Sequence, residues 1–278
     1  MKPEKTTEKS VGAMFAKAAA FCFNQTRDTI GKIDPDIIRH LLQLPLLSYS
    51  LLKLGVKKIE AGEADGYPPL IYVHGLGGSC GDFFPMAWFL GLRGRKRSYK
   101  INFVSPCTLE EMAETLSEFI ANIVEITGEP KVDLVCHSLG GLVGRLAIQE
   151  YGCEKLVNTY ISLAAPHNGV FLARYARTKV VKDLRVGSDL IERVNKKPWP
   201  RSIRGICLYS HNDIFIQPAE SAAIEGCENI DVSPFTHYSY LIDSKCWDIL
   251  SDILCTRPAA VKQWGKTGTP SKARVARA

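Results

Sequence analysis

Residues 132–147 read VDLVCHSLGGLVGRLA, and this stretch holds the most informative pattern in the chain. It opens with a short, largely apolar run that has a β-branched bias, which predicts a strand. His137, Ser138 and two glycines interrupt the run, and apolar residues then return at helical spacing. The stretch therefore predicts a strand, a tight turn that carries Ser138, and a helix.

A serine on such a turn holds its hydroxyl exposed beside the next backbone N–H, which is the arrangement of a nucleophile elbow. The elbow needs small residues two positions before and after the serine, and Cys136 and Gly140 occupy these positions. Cysteine stands where glycine is usual, which is a mild departure from the pattern. The alternative interpretation is that Ser138 caps the helix of an ordinary strand–helix unit.

Strands and helices alternate along much of the remaining chain. The hydrophobic pattern predicts strands at 68–73, 100–104, 156–163, 203–210 and 230–232, and helices at 109–126 and 245–254. This alternation predicts an α/β fold with a doubly wound, mostly parallel sheet and a functional site at the carboxyl ends of the strands. Residues 171–199 form an insertion of mixed helical pattern, which we expect to act as a lid above Ser138.

A glycine-rich turn, His74-Gly75-Leu76-Gly77-Gly78, follows the first strand. Glycines let backbone N–H groups approach a ligand closely, and no lysine follows to form a phosphate loop. An oxyanion-binding loop is the favoured interpretation, and a simple tight connection is the alternative. The aromatic-rich residues 83–90 come next, and they are either core or the wall of an acyl pocket, with core favoured for most of them.

Ser138, Asp213 and His237 each come just after a predicted strand, in the order nucleophile, acid, base. This is the order in which α/β-hydrolases carry their catalytic residues. His167 and His211 remain alternatives for the base, and Asp231 remains an alternative for the acid. His74 and His137 are interpreted as structural residues, and Asp133 is expected at the wrong end of the sheet.

These motifs resemble those of the α/β-hydrolase superfamily, and within it the lipase and esterase branch. The resemblance rests on residues 74–78, 137–141 and 165–169 and on the late His237, and it covers residues 66–256. It implies a Ser138–His237–Asp213 triad with an acyl-enzyme intermediate, and an oxyanion hole formed by the backbone N–H groups of Leu76 and Leu139. No metal and no organic cofactor are needed for this chemistry.

Composition bounds the remaining possibilities. The chain has 278 residues, 46% of them hydrophobic, a net charge of +6 and nine cysteines without C-x-x-C spacing. The cysteines fit neither a disulfide framework nor a zinc site, so a reducing, cytoplasmic location is expected. Residues 257–278 form a basic tail that we expect to be flexible. Along the chain as a whole, basic and aromatic residues do not interleave in a way that suggests a nucleic-acid surface, which disfavours nucleic acid as a partner.

The first 65 residues are predicted to be a helical extension. Within it, residues 35–58 are leucine-rich, and a helix pair packed on the sheet is favoured over peripheral membrane contact through this stretch. A secretory signal is disfavoured because Glu4, Glu8 and Lys17 interrupt the pattern. No run reaches the roughly 18–20 apolar residues of a spanning helix. The oligomeric state cannot be predicted.

Together these features predict a serine hydrolase for carboxylic esters, with an apolar acyl group on a small-molecule or lipid substrate. A thioesterase or an acyltransferase would use the same triad, and the sequence does not separate the three. A hydrolase fold retained as a non-catalytic binding module is the third hypothesis, which the presence of serine, acid and base disfavours.

Overall fold

A computed structural model describes Gln43 and residues 59–103 and 107–255. Most of the predicted N-terminal extension and the whole basic tail lie outside the described residues, so the predictions made for them stay predictions. The six strands are β1 (Leu70–Val73), β2 (Ser98–Ile101), β3 (Val132–His137), β4 (Val157–Leu163), β5 (Arg204–Tyr209) and β6 (Glu228–Asp231).

Seven α-helices connect and follow the strands in the described part of the chain. They are α1 (Phe84–Leu92), α2 (Leu109–Thr127), α3 (Leu139–Glu150), α4 (Lys179–Lys182), α5 (Asp189–Asn195), α6 (Ser239–Ile242) and α7 (Ser244–Cys255). Helix α2 begins at a capping box formed by Thr108 and Glu111 and ends at Gly128, whose φ of 68° suits a glycine. None of the helices in these ranges is long and apolar enough to span a membrane.

All neighbouring strands in the sheet are parallel, in the order β2-β1-β3-β4-β5-β6. The predicted α/β architecture is thereby confirmed. Strand β1 has β2 on one side and β3 on the other, so the direction of winding reverses between β1 and β3. A crevice opens at the carboxyl edge of the sheet where such a reversal occurs. The glycine-rich turn begins at this crevice, directly after Val73, and Ser138 lies at it, directly after His137.

The central strands form the core. Every residue of β1 and β3 is buried, and β4 is buried apart from Asn158. Continuous burial of this kind explains why these strands show apolar runs and not alternation, since helices cover both faces of a parallel sheet.

The two edge strands differ from their predicted positions. Strand β2 lies at 98–101 and not at 100–104, and β6 lies at 228–231 and not at 230–232. Both strands are largely half-buried or exposed, so their sequences, SYKI and ENID, need no apolar run. Hydrophobic periodicity locates buried strands and misplaces polar edges for this reason.

Residues 83–90 only partly form core. Phe83, Met86 and Leu90 are buried, whereas Phe84 and Trp88 expose 57% and 62% of their surface. The exposed pair lies one turn apart on α1, on the side turned away from the sheet. Phe83, Met86 and Leu90 thus belong to the core, as expected for most of this stretch, whereas Phe84 and Trp88 do not.

A buried ion pair closes the amino-terminal edge of the sheet. Arg95 donates to Asp133 at 2.9 Å, with 1% and 4% of the two side chains exposed. Arg95 also donates to the carbonyl oxygens of Pro68 and Leu254. Asp133 thus lies at the end of β3 away from Ser138, as expected. The eight cysteines in the described part of the chain are free thiols.

Candidate active site

Ser138 sits on a strained turn between β3 and α3. Its backbone has φ 53° and ψ −125°, a conformation that non-glycine residues rarely adopt. Its N–H donates to the carbonyl of Leu163 at 2.8 Å, which fixes the turn against the end of β4. Strain of this kind persists where the surrounding structure enforces it, and it is characteristic of a nucleophile elbow.

Glycines let the turn approach its neighbours. A Cβ atom at Gly140 would lie 2.5 Å from the carbonyl oxygen of Val73, so only glycine allows α3 to start against the end of β1. The cysteine that departs from the elbow pattern is accommodated in the same way. A Cβ at Gly144 would lie 2.9 Å from Cys136 Sγ, so the absence of a side chain at 144 makes room for the thiol.

Three side chains form a hydrogen-bonded chain across the carboxyl edge of the sheet. His237 Nε2 lies 3.1 Å from Ser138 Oγ, and His237 Nδ1 lies 2.8 Å from Asp213 Oδ2. A carboxylate only accepts, so Nδ1 carries the proton and donates to Asp213. Nε2 is then left to accept the hydrogen of the Ser138 hydroxyl.

The Asp213 carboxylate is buried and remains ionised. Burial by itself raises its pKa, but the His237 imidazole and the N–H groups of Phe215 and Ile216 together hold the pKa below its ordinary value. The two N–H groups donate to Oδ1 at 2.8 and 3.1 Å, which leaves Oδ2 for His237. The carboxylate therefore fixes the orientation of the His237 ring, with the Nδ1–H group turned toward Asp213.

His137 does more than the structural role that its sequence position suggests. Its Nε2 lies 2.9 Å from the carbonyl oxygen of His237, and the two rings are 4.8 Å apart between centroids. A carbonyl accepts, so Nε2 carries the proton of His137. Burial, followed by the nearby His237, lowers the pKa of His137 to about 3, so its ring stays neutral. His137 thus holds the His237 backbone from the elbow itself.

The alternative acid and bases lie elsewhere. His167 is buried beside Ser162 Oγ, at 3.0 Å from Nε2. His211 is exposed and lies 3.5 Å from Asp231, which accepts from the hydroxyl and N–H of Ser233. His237 thus lies within hydrogen-bond distance of Ser138 Oγ, and Asp213 accepts from its Nδ1.

The glycine-rich turn passes directly beside Ser138. A Cβ atom at Gly75 would lie 2.9 Å from the Cβ of Ser138, so a larger residue would collide with the elbow. Leu76 is the next residue along this turn. Leu139 is the first residue of α3, where backbone N–H groups have no partner within the helix. Both candidate oxyanion donors therefore belong to segments that meet at Ser138.

Gln43, from the predicted N-terminal extension, reaches this region. Its side-chain amide donates to Ser239 Oγ at 3.2 Å and accepts from the hydroxyl of Thr236. Thr236 directly precedes His237, and its own N–H donates to Ser239 Oγ. Sequence reasoning missed this contact because 196 positions separate Gln43 from Ser239.

The second half of the insertion packs beside the elbow helix. Arg145, buried on α3, donates to the carbonyl of Val194 and to the side chain of Asn195. Arg193 on α5 pairs with Glu150 at the end of α3. The expected lid position above Ser138 stays a prediction. In the described ranges, no group of three or more His, Cys, Asp or Glu side chains is arranged to hold a metal ion.

An all-parallel sheet with a winding reversal at β1/β3 and a strained serine after β3 defines the molecule as an α/β-hydrolase. Solved structures with this fold match the chain at low sequence identity. Lipase B of Aspergillus fumigatus has a TM-score of 0.61 at 19% identity over 72% of this chain. The match covers 55% of that lipase, so this chain corresponds to about half of its length.

Two smaller lipases match over nearly their whole length. The mature form of a Bacillus licheniformis lipase has a TM-score of 0.59 at 19% identity, over 72% of this chain and 96% of that one. A Paleococcus ferrophilus monoacylglycerol lipase has a TM-score of 0.52 at 15% identity, over 68% and 96%.

The family model for palmitoyl protein thioesterase matches residues 69–212, just over half of the chain. The chain belongs to this family. The matched residues run from β1 through the glycine-rich turn, the Ser138 elbow and the insertion, and they end just before Asp213.

Proposed function

We propose that this protein is a serine hydrolase that cleaves esters with an apolar acyl group, using Ser138, His237 and Asp213. The observation that carries the proposal is the continuous hydrogen-bonded chain from Asp213 through His237 to the strained Ser138. A serine hydroxyl is a weak nucleophile until a positioned base accepts its proton. The distances of 2.8 Å from His237 to Asp213 and 3.1 Å from His237 to Ser138 are within hydrogen-bond reach, as proton transfer to a general base requires.

Each step follows from these positions. Ser138 Oγ attacks the acyl carbonyl carbon while its proton passes to His237 Nε2, and the charge on Asp213 stabilises the imidazolium. The carbonyl oxygen becomes an oxyanion that the N–H groups of Leu76 and Leu139 would bind, a contribution of about 3 kcal/mol per donor in well-studied hydrolases. The imidazolium then protonates the leaving group. Water, activated by the same nitrogen, releases the acid and restores Ser138.

A thioester substrate is the second candidate, because the family model is that of palmitoyl protein thioesterase. The acyl-enzyme is the same for both substrates, and only the leaving group differs. A thiolate is a better leaving group than an alkoxide, so its departure depends less on protonation by His237. An oxygen ester and a thioester of the same fatty acid therefore separate the two. The released thiol should be read against a substrate-free blank, because the chain contains nine cysteines.

Labelling with a fluorophosphonate tests the nucleophile directly. The parent protein should be labelled, and Ser138→Ala should not be. Ser202→Ala is the matched control, since this exposed serine lies before β5 at the opposite edge of the sheet and should leave labelling unchanged. Labelling that persists in Ser138→Ala would refute the assignment.

A pair of histidine variants tests the base. His237→Gln should abolish hydrolysis of p-nitrophenyl esters, whereas His167→Gln should remain active if it folds, because His167 contacts Ser162 and not Ser138. An active His237→Gln variant would show that another group serves as base. Rates across p-nitrophenyl esters of rising chain length would then rank the acyl pocket.

A further inference from the structure

Residues 171–186, here called the basic segment, are the first half of the insertion and carry five cations against one acid. The cations are Arg174, Arg177, Lys179, Lys182 and Arg185, and the acid is Asp183. The proposed hydrolytic chemistry uses none of these side chains. A cluster of this size needs another explanation, because like charges on adjacent turns repel one another.

The basic segment has a defined fold. The guanidinium of Arg185 donates to the carbonyl oxygens of Ala173, Arg174 and Ala176 at 3.2 to 3.4 Å. The N–H of Val170 also donates to the carbonyl of Leu184, which is buried. Arg185 thus serves to close the segment on itself, and the other four cations are left on its outside.

Those four cations are exposed. In the part of the chain that the structure describes, no carboxylate lies within ion-pair distance of Arg174, Arg177, Lys179 or Lys182. Lys179 influences Asp183 and Glu111 through its field without pairing with either. The surface therefore presents positive charge that no carboxylate in the described part of the chain pairs with.

Apolar side chains stand among these charges. Phe171, Tyr175 and Val186 each expose 55–56% of their surface. The guanidinium of Arg174 lies 4.7 Å from the centre of the Tyr175 ring, so charge and aromatic surface form one unit. Interleaved basic and large apolar residues are typical of surfaces that lie on anionic membranes, where cations meet headgroups and apolar groups enter the acyl boundary.

The basic segment adjoins the candidate active site. The N–H of Phe171 donates to the carbonyl of Gln217, and the Gln217 side chain donates to the carbonyl of Asp213. A surface held against the Asp213 loop lies at the carboxyl edge of the sheet, the edge that carries Ser138.

We propose that the basic segment is a docking surface for a membrane that contains anionic lipids. Nucleic acid also attracts cations, and its bases stack on aromatic rings such as that of Phe171. Val186 has no ring on which a base can stack, whereas a bilayer buries both Phe171 and Val186. Docking here turns the Ser138 edge of the sheet toward the source of an acyl substrate. That consequence rests on the proposed function, whereas the binding itself does not.

The test uses the full chain and sedimentation with vesicles. Vesicles of equal parts phosphatidylcholine and phosphatidylserine should bind the protein, vesicles of phosphatidylcholine alone should not, and added salt should weaken binding. Each cation near an anionic surface strengthens partitioning about fivefold, which corresponds to about 1 kcal/mol. The triple variant Arg174→Gln, Arg177→Gln, Lys182→Gln should therefore bind about 100-fold more weakly.

The matched control is Lys96→Gln, Lys155→Gln, Arg201→Gln. These three exposed cations precede β2, β4 and β5, so they lie at the opposite edge of the sheet, and the control should bind vesicles as the parent does. Both triple variants should hydrolyse a soluble short-chain ester like the parent. If the proposed function is wrong, ester hydrolysis is absent while vesicle binding behaves as expected. If the docking surface is wrong, vesicle binding does not behave as expected while ester hydrolysis does.

Two results would overturn the proposal. One is equal vesicle binding by the parent and the Arg174/Arg177/Lys182 variant, which would place any membrane contact elsewhere in the chain. The other is binding of a single-stranded oligonucleotide that the same variant loses, together with no preference for phosphatidylserine, which would make nucleic acid the partner of this surface.

Discussion

His137→Leu is expected to impair catalysis through the backbone of His237. The substitution removes the N–H that the His237 carbonyl accepts at 2.9 Å, and it leaves a buried carbonyl without this donor. A buried polar group that loses its partner costs about 1–3 kcal/mol. If the His237 loop relaxes to recover that energy, Nε2 moves away from Ser138 Oγ, from which it now lies 3.1 Å.

A displacement of this kind acts on the chemical step. Each 1.36 kcal/mol added to the barrier slows it tenfold, so kcat should fall about 10- to 100-fold. KM for a short soluble ester should change little, because His137 is buried and its Nε2 is engaged with the His237 carbonyl. The measurement is the separation of kcat from KM on p-nitrophenyl acetate, with thermal unfolding recorded in parallel.

His137→Gln is the matched control, since the glutamine amide donates an N–H from a similar distance along the side chain. It should retain most of the parent kcat, whereas Leu should not. Equal losses in both variants would show that ring shape and not the hydrogen bond is what matters. Parent-like kcat in a folded His137→Leu variant would refute the positioning role.

Three further predictions concern stability. Burial lowers the pKa of His137 to about 3 and lowers those of His74 and His167. The unfolded chain therefore binds more protons than the folded chain below about pH 6.5. The free energy of unfolding should fall with decreasing pH, by up to about 1.4 kcal/mol per pH unit from His137 alone. Urea titrations from pH 7 to 4 should show that this free energy depends less steeply on pH in His137→Gln. Arg95→Met leaves the buried Asp133 carboxylate without its partner and should lower the free energy of unfolding by about 3–5 kcal/mol. The double variant Arg95→Met, Asp133→Leu should recover much of this loss. Equal losses in both variants would contradict the ion-pair argument. Gln43→Leu should lower the free energy of unfolding by about 1–2 kcal/mol, and an unchanged midpoint would show that the Gln43 contact does not stabilise the His237 loop.

Local patterns predicted much of this molecule, because the buried parallel strands need continuous apolar runs and the elbow needs small residues around Ser138. The strand–turn–helix at 132–147, the buried strands β1 and β4 and the largely buried β5 follow from rules that act over a few residues. The order of Ser138, Asp213 and His237 could be recognised for the same reason, since each lies just after a strand whose end must reach the same edge of the sheet.

Which histidine and which carboxylate meet at Ser138 is a matter of long-range packing. The sequence left His167, His211 and Asp231 open, and the tertiary structure separates them from Ser138 by placing His167 against Ser162 and His211 beside Asp231. Their intervals from Ser138 carry no information about distance in space.

Contacts between distant parts of the chain were likewise invisible in the sequence. The hydrogen bond from His137 to His237 spans 100 positions, and the Gln43 amide reaches Ser239 across 196. The exposure of Phe84, Trp88 and Phe171 also depends on what packs beside them, since an aromatic residue has the same hydrophobicity in a core and on a surface. Periodicity reports which face of an element is apolar, and only the assembled fold determines what that face meets.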